Sequence, residues 1–245
     1  MSSSTLSLCS SENGTEQTSA VKPRPALGLV IAAFAAVYIV WGSTYLGMRL
    51  AIDSIPPLLM AGARFMISGG ILYGVMRLRG VPAPAAVHWR SALITGALLL
   101  MVGNGGICWA QQTVPTGIAA LIVASVPLWI ILVDWLRPRG QRPSRLVVAG
   151  LAIGMAGVVV IILGKGSLGQ RMVDPVAATV LVTANICWAL GSIYARHASR
   201  PESALLGGAM QMLCGGGLQF LLGICMGELS DFHPQHITAT SAWAF

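Results

Sequence analysis

The chain alternates long apolar runs with short polar connections, and seven of the runs are long enough to cross a membrane. A transmembrane helix needs about 20 mostly apolar residues. The runs are continuous, whereas barrel strands alternate apolar and polar residues in segments of about ten. The pattern predicts an all-α polytopic membrane protein with neighbouring helices packed as antiparallel hairpins. The seven runs cover about residues 26 to 48, 55 to 76, 91 to 111, 115 to 136, 145 to 164, 174 to 195 and 203 to 226.

Composition agrees with this pattern. The 245 residues are 55% hydrophobic and 9% charged, which is too little charge to cover a soluble globule of this size. A net charge of +7 is compatible with a nucleic-acid partner, but Lys and Arg fall in short clusters between apolar runs and form no basic face. We therefore expect a lipid bilayer as partner and no nucleic acid. Residues 1 to 25 are rich in Ser and Thr, which predicts a disordered cytoplasmic tail without a secretory signal.

The distribution of Lys and Arg predicts the orientation of the chain. With a cytoplasmic N-terminus, eleven of these residues lie in segments on the inner side, and three, Arg49, Lys165 and Arg171, lie on the outer side. Cytoplasmic connections carry the excess of positive charge. We expect the N-terminus inside, and the connection at residues 227 to 236, which has Glu228 and no Lys or Arg, outside.

An offset of 147 residues aligns the two parts of the chain without a gap, which predicts a duplication. Five spans per copy is an odd number, so the second copy is inverted, an arrangement typical of secondary transporters. The first five-helix repeat covers residues 26 to 165 and is complete, and the second, residues 172 to 245, is cut after two helices. The offset places Trp41 on Trp188, Arg49 on Arg196, Arg64 on Gln211, Gly69 and Gly70 on Gly216 and Gly217, and Gly80 on Gly227.

Four motifs resemble one family. They are "VYIVWGSTYLGMRLAI" (residues 37 to 52), "PPLLMAGARFMISGGIL" (56 to 72), "VGNGGICWAQQTVPTGIAALIVASVPLW" (102 to 129) and "ICWALGSIYARH" (186 to 197). Together they resemble the EamA-type drug/metabolite transporters, particularly the YedA-like members of bacterial inner membranes. The resemblance implies ten helices in two inverted five-helix repeats, a central pathway, export of small metabolites such as amino acids or of toxic compounds, and no bound cofactor. The last three helices of that pattern are absent from this sequence.

Arg64 is the one charge well inside an apolar run. A charge at the centre of a bilayer costs at least about 2.5 kcal/mol, so it needs water or a partner. No run offers an Asp or Glu at a comparable depth. Two interpretations are equally open: Arg64 binds an anionic group of the substrate in a cavity between the repeats, or it donates to carbonyls and amides of neighbouring helices and fixes their packing.

Other polar and aromatic residues share helix faces. Trp41, Thr44 and Tyr45 lie at i, i+3 and i+4 of the first predicted helix, and Asn185 and Trp188 share a face of the sixth. These residues line a pocket for amphipathic solutes or anchor helix ends at the membrane interface, and we favour the pocket.

Three further amides complete the predicted substrate pathway: Asn104, Gln111 and Gln211. The glycines around Asn104, in the stretch "GNGG", permit close packing or a local break, and they lack the Lys and Ser or Thr of a nucleotide loop. Pro127 predicts a kink in the fourth helix. The GxxxG within residues 150 to 157 predicts a packing face, either within the chain or in a homodimer.

Three classes of function follow. The first is a secondary carrier that exports small metabolites by alternating access, driven by the proton gradient or by the gradient of the solute. The second is a non-transporting truncated fragment or an assembly subunit of a ten-helix carrier. A membrane-embedded enzyme ranks last, because the spans offer no acid/base pair or activated nucleophile. We expect no catalytic residues, and no metal site, since the cysteines stand singly without CxxC or Cys/His spacing.

Overall fold

The computed structural model describes residues 27 to 137, 140, 142 to 163 and 174 to 245, and these residues form helices and no strand. The all-α prediction is confirmed. The predicted tail and the predicted boundary between the repeats lie outside the described residues. In the described part of the chain, seven long helices are followed by one turn of 3₁₀-helix, Pro234–His236, and a short helix. Their bounds are α1 Leu27–Ala51, α2 Pro57–Leu78, α3 Ala86–Ala110, α4 Thr116–Leu136, α5 Arg145–Leu163, α6 Pro175–His197, α7 Ala204–Cys225 and α8 Ala239–Ala244.

Six of the described helices are long and apolar enough to cross a membrane: α1, α2, α3, α4, α6 and α7. The predicted run at residues 145 to 164 coincides with α5, whose apolar part, Arg145–Val160, is shorter than a span. The chain is therefore a multi-pass membrane protein, and the count of seven spans stays a prediction.

The chain divides into two compact units, Met1–Val40 and Trp41–Phe245. In the first, the described residues form the beginning of α1, where the rings of Phe34 and Tyr38 lie 6.2 Å apart. The second unit contains the rest of α1 and all the other helices. Its main core cluster includes Met48, Met60, Cys108 and Leu181, each nearly or fully buried.

Two helices of the second unit depart from regular α geometry. The middle of α3, Ala97–Asn104, is wound as a π-helix that ends within the predicted "GNGG" break. Helix α4 is interrupted between Thr116–Val123 and Val126–Leu136, and Pro127 lies in the first turn of the second segment. Proline lacks the N–H that would continue the helix and clashes with the carbonyl four residues earlier. The predicted irregularity in this helix is confirmed.

Glycines allow α2 and α7 to pack closely and antiparallel. A Cβ atom added to Gly62 would lie 2.7 Å from the backbone nitrogen of Phe220, and one on Gly216 would lie 2.8 Å from Cβ of Phe65. Contacts shorter than 3.0 Å leave no room for a side chain, so glycine is required for this approach. In the same way, Gly215 of α7 packs against Gly96 of α3.

Candidate functional site

Arg64 is the centre of the candidate site. Helix α2 begins at Pro57, which places Arg64 about 10 Å along the helix axis at 1.5 Å per residue. The side chain is half-buried, and its guanidinium carbon lies 5.3 Å from the centroid of the Phe65 ring. Arg64 makes no hydrogen bond or ion pair with any described residue; the ion pair found among them joins Asp134 and Arg137 at the end of α4. The guanidinium therefore retains donors for a ligand.

The core cluster next to Arg64 along α2 combines residues of α2, α3 and the last part of α1, among others. Met60, one turn before Arg64, belongs to the core cluster that contains Cys108 and Met48. The Cys108 sulfur lies 3.3 Å from the Met48 sulfur and 3.6 Å from Oδ1 of Asn104. The structure thus places Asn104 beside Cys108, in the core cluster that also contains Met60, one turn before Arg64.

The aromatic stripe of α1 divides between core and surface. Tyr45 is partly buried against the core cluster. The Trp41 side chain is 57% exposed, and Thr44 is also exposed. Tyr45 therefore lies on the core side of α1, whereas Trp41 and Thr44 lie on the surface of this chain.

Asn185 and Trp188 hold α6 against α3 and α4. Nδ2 of Asn185 donates to the carbonyl oxygen of Ile122 at 2.8 Å and to Oγ of Ser125 at 3.2 Å, at the interruption of α4. The ring of Trp188 packs on Gly103, where an added Cβ would lie 2.8 Å from the ring. These contacts give both side chains a packing role in the structure.

Two buried glutamines have amides without partners among the described residues. Gln111, at the end of α3, is 1% exposed, and Gln219 of α7 is 0% exposed; both atoms of each amide lack a hydrogen bond. Nε2 of Gln219 lies 3.2 Å from the position of an added Cβ on Gly105, at the end of the π-helical segment. Sequence reasoning selected Gln111 and missed Gln219, although an amide in the middle of an apolar run was the available signal, as it was for Gln211.

Gln211 lines a cavity to which Arg64 does not contribute. This cavity, of about 280 Å³, is lined by residues of α3, the α6–α7 connection and the beginning of α7, including His88, Thr95, Arg200 and Glu202. This cavity therefore does not bring together Arg64 and Gln211, the two residues that the 147-residue offset pairs. Within the described residues, no group of three or more His, Cys, Asp or Glu side chains is arranged to hold a metal ion. The absence of a cofactor stays a prediction.

Comparison with known proteins gives a consistent result. Residues 27–163 match the model of the EamA-like transporter family. The chain is 37% identical over 200 residues to the uncharacterized inner membrane transporter YedA of Escherichia coli, covering 81% of this chain and 63% of that protein. It is 25% identical over 170 residues to a probable amino-acid metabolite efflux pump of Escherichia coli, covering 67% of this chain and 54% of the pump. The chain thus spans less than two thirds of the length of these relatives. No solved structure matches.

Proposed function

The chain belongs to the EamA-like transporter family, and on this premise we propose that it is a secondary transporter of the bacterial inner membrane. It exports small metabolites, such as amino acids or drug-like solutes, by alternating access. The names of two relatives, an inner membrane transporter and a probable amino-acid metabolite efflux pump, support the membrane and the solute class. We place the N-terminus in the cytoplasm on the distribution of Lys and Arg. The side where α2 begins and α7 ends is then the outer side.

The first and last residues of α2 and α7 correspond at the 147-residue offset, which supports an inverted repeat within the transporter. Helices α2 and α7 begin 147 residues apart and end 147 residues apart. Each is followed by a glycine with positive φ, 80° at Gly80 and 85° at Gly227. The hydrogen bonds at the two ends are also equivalent: the N–H of Val81 donates to the Met76 carbonyl, and that of Glu228 to the Gly223 carbonyl. The same Schellman motif therefore ends both α2 and α7, 147 residues apart.

The contacts between α2 and α7 support a two-fold relation. A Cβ on Gly69 would meet Met212, Ala209 and Leu213 at 2.8, 3.0 and 3.0 Å, and a Cβ on Gly216 would meet Phe65, Gly62 and Met66 at the same distances. Each neighbour of one glycine is the 147-residue partner of a neighbour of the other. Two antiparallel helices with reciprocal contacts are related by an axis across them, which for spanning helices lies in the membrane plane.

Arg64 carries the proposal for the substrate. A guanidinium within a membrane-spanning helix, without a hydrogen bond or ion pair to a described residue, is an unsatisfied cation that an anionic group of a solute can pair with. We assign Arg64 the role of binding a solute carboxylate. We also assign to the proposed pathway Asn104 of α3, Tyr45 of α1 and the two buried amides of Gln111 and Gln219.

Uptake into inverted membrane vesicles tests the function. A labelled amino-acid panel is presented to vesicles that contain the 245-residue chain, its Arg64→Ala or Arg64→Lys variant, or the control Arg79→Ala, which removes an exposed arginine just after the same helix. Loss of a charge-assisted hydrogen bond costs about 1.5–3 kcal/mol, so we expect apparent affinity to fall about tenfold to a hundredfold in Arg64→Ala. Arg64→Lys retains the positive charge but lacks the planar, paired N–H donors of the guanidinium. Its apparent affinity should therefore lie between those of the parent and Arg64→Ala. Arg79→Ala behaves as the parent.

Two results would refute the proposal in different ways. If Arg64→Ala transports as well as the parent, with equal protein in the membrane, Arg64 has a packing role only. If the inserted and folded chain transports nothing in the panel, export by this chain alone is wrong, and the alternative of an assembly subunit is favoured.

A further inference from the structure

The cavity that contains Gln211 lies on the side that the proposed orientation makes cytoplasmic, and we call it the inner cavity. It measures about 280 Å³ and is lined by the first half of α3, the end of α6, the α6–α7 connection and the first turns of α7. Its lining reaches furthest into the helices at Gln211, seven residues into α7, and at Thr95, nine residues into α3. At 1.5 Å per residue, these side chains lie about 10 Å and about 14 Å from the helix ends.

The inner cavity ends where α3 and α7 touch. Gly96 follows Thr95 in α3, and Gly215 lies one turn beyond Gln211 in α7. A Cβ atom on Gly96 would lie 2.7 Å from the backbone nitrogen of Gly215 and 2.9 Å from the carbonyl oxygen of Gln211. Backbones in such close contact leave no space for a solute between these two helices. The cavity therefore opens at the exposed α6–α7 connection and is closed between α3 and α7 towards the middle of the membrane.

Two opposite charges line this cavity without pairing. Arg200 and Glu202 both contribute to its wall, and neither side chain makes an ion pair or a hydrogen bond with a described residue. The guanidinium can donate to a carboxylate, and the carboxylate can accept from an ammonium group. A zwitterion satisfies both charges, whereas an anionic solute would meet Glu202 and a cationic solute would meet Arg200.

Neutral polar groups of the inner cavity add donors and acceptors. Nδ1 of His88 accepts from the N–H of Ala85 at 3.2 Å, which leaves the Nε2–H of the ring to donate. Oγ1 of Thr95 donates to the carbonyl oxygen of Ser91 at 2.9 Å, so its lone pairs remain for an ammonium group. The half-buried amide of Gln211 can both donate and accept. The cavity thus has neutral partners for both ends of a zwitterion.

A second cavity occupies the equivalent place in the proposed repeat. It measures about 380 Å³ and lies at the α1–α2 connection, on the proposed outer side, and we call it the outer cavity. Five of its lining residues precede lining residues of the inner cavity by 147 positions: Ile52, Asp53, Ser54, Ile55 and Pro57. The two cavities therefore correspond in the same register as α2 and α7, which supports the inner cavity as one opening of the pathway.

The charges at the two openings differ. The offset places Arg200 of the inner cavity where the outer cavity has Asp53. The outer cavity is also lined by Glu228 and Asp231, and none of its lining residues is Lys or Arg. A carboxylate is therefore attracted by the arginine of the inner opening and repelled at the outer one. This difference suits a carboxylate-bearing solute that enters from the inside and leaves on the outside.

We propose that the inner cavity is the entry site of the transporter and that it binds neutral amino acids as zwitterions. Arg200 pairs with the carboxylate and Glu202 with the ammonium group, and the solute's side chain lies against the apolar wall that includes Ala92 and Met210. This inference rests on the proposed export function, since an exported solute enters from the cytoplasm. Arg64, which does not line the inner cavity, acts after entry.

Cysteine protection tests the entry site without requiring transport. Gly208 lines the inner cavity, and a Cβ atom there would meet no atom within 4 Å, so Gly208→Cys has room for its side chain. The variant is made in a chain where Cys9 is replaced by serine, and it is labelled with a membrane-impermeant maleimide in inverted vesicles, which expose the cytoplasmic face. L-Alanine, L-valine and L-leucine are the probes. The same chain without Gly208→Cys gives the background.

We expect at least one of these amino acids to slow the labelling. Its amide lacks the carboxylate and its N-acetyl derivative lacks the ammonium group, so each should need a concentration about fivefold or more higher for the same protection. Arg200→Ala should weaken protection by the amino acid about fivefold or more and leave protection by the amide unchanged. Glu202→Gln should weaken protection by the amino acid and leave that by the N-acetyl derivative unchanged. The matched control Arg196→Ala removes an exposed arginine of α6 that does not line the cavity, and it should follow the parent.

The outcomes separate this inference from the proposed function. Absence of protection by all three amino acids, or equal protection by an amino acid and its two derivatives, overturns the entry site even if vesicle uptake succeeds. Protection that depends on Arg200, in a chain that transports nothing, supports the entry site and refutes the carrier. Should Gly208→Cys fail to insert, Ala204→Cys at another lining position has to give the same pattern, and its absence there overturns the proposal.

Discussion

Replacement of Gly216 by alanine is the sharpest test of the contact between α2 and α7. The added methyl group would lie 2.8 Å from Cβ of Phe65, 3.0 Å from the Gly62 carbonyl oxygen and 3.0 Å from the Met66 nitrogen. Two of these three atoms belong to backbone, which cannot rotate away, so one helix must shift. The next residue provides a matched control, because a Cβ on Gly217 meets no atom within 4 Å.

The magnitude follows from two opposing terms. Overpacking of a close contact costs about 1–3 kcal/mol, whereas alanine is about 0.5–1 kcal/mol better than glycine within a helix. Both variants gain the helix preference of alanine over glycine, and only Gly216→Ala also has the overpacking cost. The difference between their free energies of unfolding is therefore the packing cost alone, about 1–3 kcal/mol.

Thermal unfolding in detergent micelles, followed by tryptophan fluorescence, measures this difference. At about 2–4 °C per kcal/mol for a chain of this size, Gly216→Ala should melt about 2–12 °C below Gly217→Ala. The equivalent pair in α2, Gly69→Ala against Gly70→Ala, should show the same difference, because a Cβ on Gly69 meets its neighbours at 2.8, 3.0 and 3.0 Å and one on Gly70 meets a side chain only at 3.9 Å. Equal melting temperatures within each pair would refute the close contact, and unequal differences between the pairs would refute the two-fold relation.

Three further changes test single interactions by the same melting assay. Asn185→Ala removes the hydrogen bonds to Ile122 and Ser125, so we expect the free energy of unfolding to fall by about 1–3 kcal/mol, and an unchanged melting temperature would contradict the packing role. Gly227→Ala places a side chain at φ of 85° and should lower the free energy of unfolding by about 1 kcal/mol. An unchanged melting temperature would show that the turn before Glu228 has another backbone geometry. Gln219→Leu replaces a buried amide without a described partner by an apolar side chain and should be neutral or stabilising by about 1 kcal/mol; a clear loss would indicate that a water or solute satisfies the amide.

The amino-acid sequence by itself determined the helices and the family. A helix in a bilayer satisfies its own backbone hydrogen bonds, so a long apolar run is sufficient to specify one without knowledge of its neighbours. The interruption of α4 next to Pro127 is local for the same reason, since proline removes a bond within its own helix. The 147-residue offset was also visible in the sequence, and the ends of α2 and α7 follow it.

Only the tertiary structure decided which polar groups meet. Glu228 is separated from Leu58 by 170 residues, and no local pattern indicates that it caps α2. Asn185 bonds to the interruption of α4, and Gln211 lines a cavity to which Arg64 does not contribute; the place of both in a substrate pathway stays a prediction. Such contacts depend on how far glycines let two helices approach and on the rotation of each helix about its axis. The apolar pattern constrains that rotation weakly, because lipid and protein interior are equally apolar neighbours.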